Sequence, residues 1–212
     1  MNVFCYYHPV DQIPYQDELA LIKLWKKNWN ANGIPARVLC EADAQHSDLY
    51  QQYKAKVSSW PSINPKGYDY SAWMRLLAVS TLEAEMVVVT DYDTFNYGWQ
   101  PHDLVPDCIN LFGWNVPCCM AIAPTAMRRG ILDLLKYDLE PDDLVEGRSH
   151  FADQQWIAKA MHHRMPELFN AQNDVLEYSQ PGWQEAKLVH YCNKMMRHMR
   201  PRHEHIWNLR SW

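Results

Sequence analysis

The run Met86-Val87-Val88-Val89-Thr90, followed at once by Asp91-Tyr92-Asp93, constrains this 212-residue chain more than any other stretch. Its valines are β-branched, and such a run reads as a strand. It is apolar without alternation, so both faces are expected to be covered, as in a central strand of a parallel sheet. Two carboxylates then stand two positions apart where the strand ends. In an extended segment, side chains at i and i+2 share a side. Asp91 and Asp93 are therefore expected to project together, with Tyr92 opposite. Ionised carboxylates that close repel each other and invite a cation. Hard divalent ions such as Mn²⁺ or Mg²⁺ take oxygen ligands and often complete their shell with substrate phosphates. Open α/β sheets gather ligands at the carboxyl ends of their strands. A polar turn would also use aspartates. It is the position behind a buried strand that gives this short motif its weight.

The elements around it read as α/β. Asn2–Tyr7 is a strand, Asp17–Asn32 a helix and Ala36–Cys40 a second strand, which makes a βαβ unit. Leu19, Ile22, Trp25 and Trp29 fall on the apolar side of that helix. His46–Ser58 and Tyr70–Leu82 read as further helices, the latter with Trp73, Leu76 and Leu77 on one face. Asn96–Asn115 is irregular and Cys118–Ala123 is a strand. Thr125–Leu135 is a helix capped by Thr125. Phe151–His163 is helical, and Asp174–Tyr178 and Lys187–Tyr191 are short strands.

Hydrophobic residues make up 48% and charged residues 21%, as in ordinary globular proteins. The ten tryptophans are expected mainly in the core. Trp99, Trp114 and Trp183 lie in loop segments, where an indole face suits a sugar ring or a base. The net charge of −5 argues against wholesale nucleic-acid binding. The segment from Lys194 onward is different: Lys194, Arg197, Arg200, Arg202 and Arg210 stand against the single acid Glu204. This reads as a solvated basic tail or as a contact for an anionic partner. The six cysteines form no C-x-x-C pair and read as reduced thiols, so a cytoplasmic protein is expected. No run approaches the roughly 18 apolar residues of a membrane span.

This order of elements, with an Arg-bearing helix ahead of an apolar strand that ends in D-x-D, resembles the GT-A-type glycosyltransferases. The resemblance implies one Rossmann-like domain over residues 1–193, with a mostly parallel central sheet flanked by helices. Residues 194–212 form a basic appendage. It further implies a nucleotide-diphosphate sugar donor bridged by Mn²⁺ or Mg²⁺. Asp93 is then a metal ligand, and Asp91 a metal ligand or ribose contact. His190, delivered by Lys187–Tyr191, is a further metal ligand, and imidazole accepts such ions. Arg75 is placed near the nucleotide, where its fork suits a phosphate. Tyr6, Tyr7 and His8, at the end of the first strand, are placed against the base and ribose. Asp153 in Phe151-Ala152-Asp153-Gln154-Gln155 is the candidate general base for an acceptor hydroxyl; stabilising the start of a helix would equally explain it. The acceptor stays open, and the basic tail admits an anionic or nucleic-acid acceptor. Two alternatives use the same Asp pair. One is a haloacid-dehalogenase-like phosphatase, with Asp142-Asp143 as its late acidic pair; the other is a nucleotidyltransferase. The residues after Asp93 fit the phosphatase motif poorly, and no Gly-rich basic loop follows the first strand to support the nucleotidyltransferase.

Overall fold

The computed structural model describes residues 1–11, 15–64, 67–113, 116–144, 150–177 and 180–191. The basic tail, Cys192 and Trp114 lie outside the described residues. The chain opens with β1 (Val3–Tyr6), α1 (Tyr15–Ala31) and β2 (Ala36–Leu39), the βαβ unit expected from sequence. Next come α2 (Glu41–Ala44), α3 (Tyr50–Ser58), α4 (Tyr68–Ser80), β3 (Val87–Thr90) and β4 (Thr94–Asn96). The remainder comprises β5 (Ile109–Leu111), β6 (Cys119–Ile122), α5 (Pro124–Leu135), α6 (Asp153–Lys159), β7 (Phe169–Ala171), β8 (Val175–Glu177) and β9 (Leu188–His190).

The main sheet has the order β2-β1-β3-β6-β5-β7, and a smaller one the order β4-β9-β8. In the main sheet β1 pairs in parallel with β2 and β3, and β5 with β7. The sheet is thus mostly parallel, with β6 antiparallel to both of its neighbours. Successive side chains on a strand face opposite ways, and the core divides accordingly. Phe4, Tyr6, Val87 and Val89 join a core that includes residues of α4, α5 and α6. Val3, Cys5 and Val88 join a second core with Trp25 and Trp29 of α1. Every residue of β1 and β3 is buried, which explains their apolar runs.

Most tryptophans with the largest buried volume are core residues, as expected: Trp25, Trp29, Trp73 and Trp156 are at most 1% exposed. Trp99 belongs to the second core as well, and Trp183 is partly buried against that core. The five described cysteines are free thiols, with Cys40 alone exposed. Among the described residues no helix is long and apolar enough to cross a membrane.

Several elements depart from the sequence expectation. The helix expected from His46 begins at Tyr50, because the Ser47 hydroxyl accepts the Leu49 N–H and closes a local turn. Thr125 is not a cap. Pro124, which has no N–H to satisfy, opens α5, and Ala123 takes the capping position. The helix expected to reach His163 ends as α6 at Lys159 and continues as a π-helical turn, Ala160–Arg164. The stretch read as irregular contains β5, and β4 and β7 were likewise not evident.

Candidate functional site

The end of β3 is pinned before the first aspartate begins. Trp25 Nε1 of α1 donates to Thr90 Oγ1 at 2.9 Å, and Trp29 Nε1 donates to the Thr94 carbonyl at 2.9 Å. Two buried indoles thus hold both sides of the Asp91–Asp93 segment. Asp91 N donates to the Cys118 carbonyl at 3.0 Å, and Thr94 N donates back to the Asp91 carbonyl at 3.1 Å. The segment is therefore a turn and not an extended continuation of β3. The two carboxylates do converge, but the turn brings them together, not i, i+2 alternation.

The smaller sheet adds the third group. Thr94 pairs with His190 across the β4–β9 ladder. Tyr191 N donates to the Asp93 carbonyl at 2.8 Å. This seats the imidazole beside the carboxylates: His190 Nε2 lies 3.4 Å from Asp93 Oδ1 and 3.7 Å from Asp91 Oδ2. One ligand atom from each of Asp91, Asp93 and His190 lies within 4.8 Å of the others. Burial raises the Asp93 pKa, while the His190 charge opposes the rise. Asp93 Oδ1 is buried without a hydrogen bond among the described residues. Two hard oxygens and an imidazole this close fit a divalent cation.

Arg75 is placed where sequence alone did not put it. It is 5% exposed, on the inner side of α4. Its Nη1 bonds Asp91 Oδ1, and its Nη2 bonds Asp153 Oδ2 at 3.0 Å. Burial disfavours its charge, but the two carboxylates more than offset this and hold its pKa above the ordinary value. Its Nη1 and Nη2 both face protein carboxylates, while the side chain still lines the cleft. Asp153 is similarly committed. Its Oδ2 faces Arg75, and its Oδ1 accepts Gln154 N at 2.9 Å in the first turn of α6. Burial raises its pKa and Arg75 opposes the rise.

These groups line one cleft of about 420 Å³. Tyr6 reaches it, with a buried hydroxyl that has no hydrogen bond among the described residues. Tyr7 and His8 are not part of its lining. The Tyr7 hydroxyl donates to Glu18 Oε2 at 3.4 Å, and Tyr92 donates to the other Glu18 oxygen at 3.1 Å. His8 turns to a neighbouring cavity, edge-on to Tyr70 at 4.8 Å. Asp142 and Asp143 are also absent from the lining; Asp143 pairs with Lys159. Sequence reading missed Asp69, His150 and Glu177, which do line the cleft. Only Glu177 left a signal: it stands opposite His190 in the β8–β9 register, one strand away from an expected ligand. The cleft thus gathers Asp69, Asp91, Asp93, Asp153 and Glu177 against Arg75 and two histidines. A polyanion entering it needs a cation to accompany it.

No family model matches the sequence, and no curated protein matches it significantly. Solved structures do match in fold. An active-site mutant of LgtC aligns with a TM-score of 0.52 at 11% identity, covering 91% of this chain and 88% of that one. A glycosyltransferase involved in glycosylation of the major capsid of PBCV-1 aligns with a TM-score of 0.52 at 9% identity, covering 93% and 97%. At such identities the likeness is one of fold, and function must come from the site. Over about nine-tenths of its length, this chain has the GT-A-type fold of these glycosyltransferases.

Proposed function

We propose that the chain is a divalent-metal-dependent glycosyltransferase that uses a nucleotide-diphosphate sugar. The observation that carries this reading is the convergence of Asp91, Asp93 and His190 at the carboxyl end of β3, inside a cleft rich in carboxylates. The fold, shared with glycosyltransferases, supports it. Asp91 would offer Oδ2 to the ion while Arg75 holds its Oδ1. Asp93 and His190 would supply the other two donors. A bound Mn²⁺ or Mg²⁺ would neutralise the diphosphate and stabilise the charge that grows on it as it leaves.

The chain's own residues fix the geometry. Trp25 and Trp29 keep the Asp91–Asp93 turn from shifting. Arg75 ties Asp91 to Asp153, linking the end of β3 to the start of α6. With both oxygens engaged, Asp153 is assigned the positioning of Arg75 in place of the proton-accepting role expected from sequence. In the transfer, the acceptor oxygen bonds to the anomeric carbon. The bond from that carbon to the diphosphate breaks, and its electron pair leaves on the diphosphate. The acceptor proton passes to water. The phosphatase alternative is weakened by Asp143, which is committed to Lys159 away from the cleft.

The test is incubation with a panel of nucleotide-diphosphate sugars, with Mn²⁺ or with a chelator. Metal-dependent release of nucleoside diphosphate from at least one donor is expected. Release of phosphate from simple phosphomonoesters, with no response to any nucleotide sugar, would overturn the reading.

A further inference from the structure

A second cavity, of about 580 Å³, adjoins the cleft, and Asn64 and Asp69 line both. Its aromatic wall is Trp60, which meets Trp73 at 4.6 Å and Phe151 at 5.0 Å, both edge to face. Trp73 and Phe151 are each 1% exposed. They brace Trp60 from behind, and the half-buried rings of Trp60 and Tyr70 are the ones that face a ligand. Fixed polar groups surround these rings. Glu41 accepts Lys54 Nζ at 2.6 Å and the Tyr70 hydroxyl at 2.8 Å. Asp69 accepts the Ser62 hydroxyl and, at 2.8 Å, Asn64 Nδ2. Both carboxylates are thus held in place before any ligand arrives.

The charge balance excludes an anion. Glu41 and Asp69 stand against Lys54, whose ammonium is spent on Glu41. His8 at the same cavity has its pKa lowered by burial, which favours the neutral ring. A half-exposed indole beside preset carboxylates, an amide and a hydroxyl suits a sugar ring. The apolar face of the ring stacks on the indole, and its hydroxyls donate to the carboxylates.

We propose that this cavity is the acceptor subsite and that it takes an uncharged saccharide, which reaches the cleft past Asn64 and Asp69. The assignment of the saccharide as acceptor rests on the transferase reading above; the binding site itself does not.

The experiment is saturation-transfer NMR with neutral disaccharides, sialylated saccharides and a nucleoside monophosphate, in the absence of metal and donor. The wild-type protein is expected to show signals from a neutral saccharide and not from the sialylated ones. Trp60→Ala is expected to lose them. So is Ser58→Tyr, which fills the cavity from an exposed residue at the end of α3 and spares the core. Donor hydrolysis by Ser58→Tyr should stay within about twofold of wild type. Neutral-saccharide signals that survive in Ser58→Tyr overturn the proposal, as does loss of nucleotide binding in that variant. A transferase that binds no neutral saccharide refutes the subsite and leaves the function standing. Saccharide binding that Ser58→Tyr abolishes, without turnover of any nucleotide sugar, upholds the site and refutes the function.

Discussion

Arg75 carries a full charge at 5% exposure because two carboxylates, Asp91 and Asp153, close around it. Breaking such a group by removing one member leaves uncompensated buried charge. Arg75→Ala is therefore expected to cost about 3–5 kcal/mol in denaturant unfolding. Arg75→Lys keeps the charge but loses the fork that spans both partners, so its loss should be smaller and still measurable. None of this was legible in sequence, where the resemblance placed Arg75 near the nucleotide with its fork suited to a phosphate. Its partners lie 16 and 78 residues away, beyond what helical periodicity reports. Glu41 poses the same problem in a half-buried setting. Hydrogen bonds from Lys54, and then from Tyr50, pull its pKa down from 4.5 to about 2. A depressed carboxylate contributes stability above its unfolded pKa and loses it as pH falls through the folded one. Glu41→Gln should therefore flatten the acid limb between about pH 4.5 and pH 2. After allowance for solvent screening, it should cost about 1 kcal/mol at neutral pH. Urea unfolding across that range reads both effects.

At the scale of elements, the strongly patterned segments were readable, as were the short strands β8 and β9, while β4, β5 and β7 were not. The helix bearing Trp25 and Trp29 announces itself by periodicity, and β3 by an unbroken apolar run. Neither pattern carries direction, so the antiparallel setting of β6 was hidden: a strand buried on both faces reads the same either way. In β5 the polar Asn110 sits inside the strand. It is fully buried only because its side chain bonds Val105 and Ala121 backbone groups. Nothing local distinguishes it from a loop asparagine. Packing between elements is equally unforgiving. Gly130 of α5 faces the buried Trp156 of α6, and a Cβ there would lie 2.9 Å from the indole Cη2. Helix propensity alone would favour alanine by about 1 kcal/mol. The ring is enclosed and has little room to yield, so Gly130→Ala is expected to be destabilising by about 1–3 kcal/mol. A thermal or urea melt of that variant checks the sign.

At the scale of the molecule, the site is an agreement between two sheets. The main sheet delivers Asp91 at the end of β3, and the small sheet returns His190 from far along the chain to stand opposite Thr94. The aspartates were legible because a buried strand ends on them. His190 was legible as a strand-borne histidine, but its arrival beside them depends on a three-residue ladder that composition does not encode. Asp93 is buried with no hydrogen bond to its Oδ1 closer than the His190 imidazole at 3.4 Å, so an added cation would relieve its buried charge. The most direct measurement is a Mn²⁺ titration followed by electron paramagnetic resonance, with nucleoside diphosphate present, on wild type and Asp93→Asn. One ion per wild-type chain is expected, with binding lost in Asp93→Asn while that variant melts no lower than metal-free wild type. Equal Mn²⁺ binding by both proteins would contradict the site.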